Sequence, residues 1–148
     1  MRLGAHFTLR ELTVSSKASA LGLDNAPPPE AVRRLGLLVE RVLDPLRSAL
    51  GRPVRVTSGY RSPAVNAAIG GSRTSQHMTG EAADIKVEGV SAPDLAAAIV
   101  RLGLPVDQVI WYAPERGGHV HVSHRADGRQ RGEVLEAPVG GGYVAWGG

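Results

Sequence analysis

The 148-residue chain contains no cysteine. Disulfides and thiolate metal sites are therefore excluded, and any metal must be held by His, Asp or Glu. Aromatic residues make up only 4%, so a core has to be built from Leu, Val, Ala and Ile. Nowhere do the roughly 18 consecutive apolar residues of a membrane span occur. The segment before Asn25 is broken by Arg2, Arg10, Glu11 and Lys17 and holds no apolar stretch of signal-peptide length. The expectation is a chain that is cytoplasmic as synthesised and reaches any outside target only after release.

Charge of one sign is also scarce. The formal balance is +3, and although Arg125, Arg129 and Arg131 cluster, no aromatics interleave with them as a stacking platform for single strands requires. They read as a solvated basic edge, with no nucleic-acid partner. With 43% hydrophobic and 21% charged residues the composition is that of an ordinary globular protein, and the length predicts one domain over 1–148. Its core should run over about 6–124, with a glycine-rich tail over about 126–148.

Thr8 and Glu11 are spaced as a capping box opening a short helix through Leu12 and Val14. After the stiff Asn25–Pro29 connector, Val32, Leu35, Val39, Val42, Leu43, Leu46 and Leu50 follow helical spacing. They predict one long core helix over Glu30–Leu50, ended by Gly51. Short strands are predicted at Val54–Ser58, Ala82–Val87, Gln108–Tyr112 and His119–Ser123, and helices after Ser62-Pro63 and Ser91. Glu133–Val139 could add an edge strand, and Gly140–Gly148 shows no pattern. Strands joined sometimes by helices and sometimes by bare loops predict an α+β fold: a small antiparallel sheet with helices packed on one face and a metal site on the sheet.

Alternation along a strand places His119 and His121 on one face and Val120 and Val122 on the other. On Ala82–Val87 the same rule turns Ala83, Ile85 and Val87 one way and Asp84 the other. A carboxylate facing the side of two imidazoles is costly without a partner, and a divalent metal is such a partner. Two imidazole nitrogens and one carboxylate oxygen suit zinc with a fourth position open to water. His77, in the polar loop before the Asp84 strand, is the other candidate, and Gly80 lets the chain bend between them.

The runs Ser58-Gly-Tyr-Arg-Ser-Pro-Ala-Val-Asn66, Ser75-Gln-His-Met-Thr-Gly-Glu-Ala-Ala-Asp84 and His119-Val-His-Val-Ser123 resemble the D-alanyl-D-alanine carboxypeptidase family of zinc peptidases. That family includes carboxypeptidases, dipeptidases and phage endolysins that cut peptidoglycan stem peptides. The resemblance implies one Zn2+ per chain on His77, Asp84 and His121 and a peptidoglycan peptide as substrate; the chain is expected to be a monomer. It also implies that Arg61 receives a substrate carboxylate. Ser75 is open to two readings, a hydrogen bond to substrate or a loop cap.

Many members carry an acidic residue three positions before the last ligand, where this chain has Gly118. Glu115-x-x-x-His119-x-His121 is instead similar to the zinc site of the Hedgehog signalling domain, which makes Glu115 the candidate general base and His119 the candidate donor to the developing oxyanion. Two other functions share these residues. One is a zinc-binding module without catalysis; the other is a non-haem iron oxygenase, which also uses two His and a carboxylate but places His and Asp closer than His77 and Asp84.

Overall fold

The computed structural model describes residues 1–147. Helices α1 (Ser16–Leu21), α2 (Pro29–Leu38), α3 (Asp44–Leu50), α4 (Pro63–Ala68) and α5 (Ala92–Arg101) accompany six strands. The strands are β1 (Arg55–Ser58), β2 (Ala82–Lys86), β3 (Gln108–Tyr112), β4 (Val120–Ser123), β5 (Glu133–Ala137) and β6 (Val144–Ala145). They form one sheet in the order β1-β2-β4-β3-β5-β6. The fold is α+β, as expected. No helix among the described residues is long and apolar enough to cross a membrane.

The sheet is mixed rather than wholly antiparallel, because β5 runs parallel to β3. The chain leaves β4, crosses the start of β3, and enters β5 beyond it. Two backbone hydrogen bonds guide the crossing: Gly132 N–H donates to Val106 O at 3.2 Å and Glu133 N–H to Asp107 O at 2.9 Å. β6 then pairs with β5, so Glu133–Ala137 is not the edge strand.

Local sequence explains the helices and one surprise. Ser62 caps α4 by accepting from Val65 N–H at 3.3 Å, and Ser91 caps α5 by accepting from Asp94 N–H at 3.2 Å. The long core helix is interrupted: α2 and α3 are joined by a π-helical turn over Val39–Leu43. Pro45 accounts for it, since it lacks an N–H and its ring crowds the carbonyl four residues back. The Asp44 N–H bonds to Val39 O, five residues back. Thr8 and Glu11 do form the reciprocal capping pair, but turns follow it, and the first helix starts only after Ser15.

One face of the sheet carries the core. Ala83, Ile85, Val109, Val120 and Val122 are buried there with Leu35, Leu38, Val42 and Leu46 of the α2–α3 run and with Leu95 and Ile99 of α5. Alternation therefore sends Asp84, His119, His121, Ile110 and Tyr112 to the other face, which is left for the site.

Candidate metal centre

Strand register assembles the site in rows. Asp84 lies opposite His121, His121 opposite Ile110, and Ile110 beside Leu135, forming a central row. His119 and Tyr112 lie one step to one side, where Tyr112 N–H donates to His119 O at 2.9 Å. Gln108 lies one step to the other side, its N–H on Ser123 Oγ at 3.0 Å.

His77 reaches the central row from a 3-10 turn, Gln76–Thr79. Ser75 caps that turn by accepting from the His77 N–H at 3.2 Å, so the capping reading of Ser75 is realised, although it also borders the cleft. Gly80 ends the turn at φ 82°, and a Cβ there would stand 2.5 Å from Ala31 O. Glycine is needed both for the left-handed conformation and for packing of the turn against α2. Gly59 is equally constrained, for a Cβ would overlap the Leu12 carbonyl. Its own carbonyl lies 2.8 Å from His77 Nδ1. That bond places the His77 proton on Nδ1 and turns the Nε2 lone pair toward Asp84, the arrangement that orients a metal-binding imidazole.

His77, Asp84 and His121 are brought together: one ligand atom of each lies within 4.8 Å of the others. Asp84 Oδ1 is 3.3 Å from His77 Nε2 and 3.1 Å from His121 Nδ1. Asp84 is only 8% exposed. Burial pushes its carboxyl up, but when His121 and His77 are protonated their hydrogen bonds and charges outweigh this and hold it well below the usual carboxylate range; with the imidazoles neutral the same position offers a cation its negative charge. Two nitrogen lone pairs and an anionic oxygen converging in a buried spot match a borderline-soft divalent cation, and the donor set fits zinc.

Arg61 sits beside the group rather than at a cleft end. Its fork donates to Ser58 Oγ at 3.1 Å, Asn66 Oδ1 at 3.5 Å and Asp84 Oδ2 at 3.3 Å. His119 Nε2 lies 3.9 Å from the same Oδ2. The His119 ring stacks on Tyr112 with centroids 4.2 Å apart, and burial lowers its pKa against the opposing pull of Asp84. Neutral imidazole is therefore favoured.

Glu115 is not part of this assembly. It lies exposed on a second 3-10 turn, Pro114–Arg116, and is not among the residues bordering the cleft. Gly117 and Gly118, both at positive φ, separate that turn from β4, and the Glu115 side chain is exposed although its sequence interval to His119 matches the expected pattern. The structure thus does not bring Glu115, the candidate general base, to the metal group.

The cleft encloses about 850 Å³. Its polar end is bordered by Gln76, Gln108, Asp107, Arg125 and Arg131, its other end by Tyr112 and Tyr143. Asp107 is fully buried, and its carboxylate takes the Arg131 guanidinium at 2.8 Å and Gln76 Nε2 at 2.9 Å. Arg125 and Arg131 thus border the cleft instead of forming a purely solvated edge. Asp107, Gln76, Gln108 and Tyr143 were not singled out from sequence, and no motif marks them. Of the neighbouring pair Trp111 and Tyr112, the first packs toward the core and the second faces the cleft.

A family model described as Peptidase M15 matches residues 5–123. No curated protein matches the chain.

Proposed function

The chain belongs to the peptidase M15 family, whose members are zinc-dependent, and from that footing we propose that it is a zinc metallopeptidase hydrolysing peptide bonds within peptidoglycan stem peptides, as an endolysin-type endopeptidase that meets the wall after release. The observation that carries the reading is the place of His77, Asp84 and His121 in the central row, with cleft-lining residues on both sides of it, Gln108 on one and Tyr112 on the other. A chain segment can extend to either side of the group, whereas a carboxypeptidase needs a closed end that reads a terminal carboxylate. The Arg61 fork, the expected reader, spends three of its five N–H donors on Ser58, Asn66 and Asp84.

His77, Asp84 and His121 would hold the ion. Zinc, when bound, supplies Lewis acidity that polarises a carbonyl and acidifies water. The chain's residues do the rest. Arg61 fixes Asp84 by its Oδ2 and keeps Oδ1 directed at the two imidazoles. His119 is the proton carrier: its Nε2 faces the group, the Tyr112 stack sets its plane, and its neutral form can accept a proton and return it to the leaving amine. The test is digestion of purified cell wall followed by mass spectrometry of the new termini. New N-termini inside the stem are expected. Release of terminal D-alanine alone would establish the carboxypeptidase instead.

A further inference from the structure

The family match ends at Ser123, yet the cleft does not. Leu135 on β5 and Tyr143, just before β6, border the same cavity as the metal group. Pairing of Leu135 with Ala145 and Glu136 with Val144 folds this segment back on itself and delivers Tyr143 to the Tyr112 end of the cleft. The fold-back is anchored from outside. Arg116 Nη1 donates to Gly142 O at 2.7 Å and to Pro138 O at 3.3 Å, and its guanidinium stands 5.5 Å from the Tyr112 ring centre and 5.3 Å from that of Tyr143. Beyond it, Trp146 meets Trp111 edge to face, with centroids 5.7 Å apart.

We propose that this C-terminal fold-back is the specificity element of the enzyme, and that Tyr143 with Tyr112 forms a subsite for an uncharged, alanine-like stretch of the peptide. The inference rests on the peptidase reading for its setting but on the geometry of these two phenols for its content. Their hydroxyls are 3.3 Å apart, so one donates to the other and the pair still offers one O–H donor and free lone pairs to a peptide C=O and N–H. Between them and the polar end stand Ile110 and Leu135 of the central row, which border the same cleft and suit a methyl group.

Charge points the same way. Of the charged residues bordering the cleft, Arg125, Arg131, Glu81 and Asp107 belong to the polar end, and Arg61 and Asp84 are paired with each other at the metal group. Beside the phenols, Arg116 is held against the ring faces and two backbone carbonyls. A charged side chain entering here would lose hydration and meet only charges already engaged, Arg116 by two carbonyls and Asp84 by Arg61. A small apolar one loses nothing and gains the aromatic wall. Tyr143 is 53% exposed, so its ring is accessible to a ligand in the cleft.

The experiment measures binding apart from turnover. Acetyl-D-Ala-D-Ala amide and acetyl-D-Glu-D-Glu amide are titrated into the zinc-loaded full chain and into Tyr143→Phe and Tyr143→Ala, with affinity read by NMR shift changes. The alanine probe should bind the native chain and perturb the Tyr143 ring. Its Kd should rise about fivefold in Tyr143→Phe, the worth of one net hydrogen bond, and about tenfold or more in Tyr143→Ala, where the ring is lost too. The glutamate probe should bind weakly and equally to all three. Near-UV circular dichroism of Trp111 and Trp146 checks that the fold-back persists in the phenylalanine variant. Equal alanine-probe affinity in all three proteins, or no binding to the native chain, overturns the subsite. Wall digestion is scored in parallel. Digestion with unchanged probe affinities sinks the subsite alone, while the expected affinity losses without digestion sink the peptidase reading and uphold the subsite.

Discussion

Arg61 Nη2 donates to Asp84 Oδ2 at 3.3 Å, while the other carboxylate oxygen faces His77 Nε2 and His121 Nδ1 at 3.3 and 3.1 Å. The guanidinium divides the two oxygens between two jobs, one fixed and one directed at the ion position. A planar fork can hold Asp84, Asn66 and Ser58 at once, which an ammonium could not do in the same geometry.

Replacing Arg61 should therefore loosen the metal before it changes substrate selection. Arg61→Ala is expected to weaken zinc by about 10- to 100-fold, the usual cost of losing a partner that orients a ligand, as read by chelator competition. Amidating the C-terminus of a stem peptide should cost native enzyme and variant the same factor. A loss confined to the native enzyme would return Arg61 to the role of terminal-carboxylate reader.

His119 and Glu115 give a paired test of the proton carrier. His119→Ala should lower turnover by about two to four orders of magnitude while leaving one zinc per chain. Glu115→Gln alters an exposed side chain outside the cleft, and turnover should stay within about twofold, as for an ordinary surface change. A large loss in Glu115→Gln, with zinc retained, would bring the outer turn back into the mechanism.

Gly59 is a backbone control on His77. In Gly59→Ala the new methyl group meets the Leu12 carbonyl, so the chain has to shift and the Gly59 carbonyl leaves His77 Nδ1. Zinc affinity should fall by about tenfold or more through the lost second contact, with His77→Ala as the more severe reference. Calorimetric titration of zinc into both variants distinguishes the effects, and unchanged affinity in Gly59→Ala would contradict the role given to this bond.

Asp107 predicts a pH dependence of stability. Burial pushes its carboxyl up, but hydrogen bonds from the Arg131 guanidinium and backbone and from Gln76 prevail and bring it to about 2. The folded-state value is depressed, so the stabilisation is complete above about pH 4 and is lost as pH falls toward 2. With the half-exposed Arg131 discounted for screening, it should amount to about 1–2 kcal/mol. Thermal unfolding of the native chain and Asp107→Asn should show a gap at pH 6 that narrows by pH 2.5. A gap of constant size would mean that the Asp107 charge is not what stabilises this corner.

The shared facing of Asp84 and His121 was legible in the sequence because strand alternation is a local rule, whereas His77, in a loop, joined them only through the family resemblance. Alternation puts Asp84 opposite in sense to Ala83 and Ile85, and His121 opposite to Val120 and Val122, whatever the sheet order. The serine caps of α4 and α5 and the glycine at Gly80 are likewise decided within a few residues. Pro45 shows that even a local signal can be overlooked: its effect on the preceding turn follows from its missing N–H, yet the apolar spacing around it reads straight through.

Tertiary structure alone decided which other groups share the cleft. Glu115 has a persuasive interval to His119, but an interval does not fix where a turn places its side chain. Asp107, Arg131 and Gln76 meet only because the chain crosses the start of β3 on its way to β5. Tyr143 meets Tyr112 only because β6 folds back on a strand parallel to β3. These are contacts between residues far apart in sequence, set by strand order and register, and no periodicity within any one segment encodes them. Composition limited any metal to His, Asp and Glu, and alternation turned Asp84 and His121 to one face; the sheet's order determined what surrounds them.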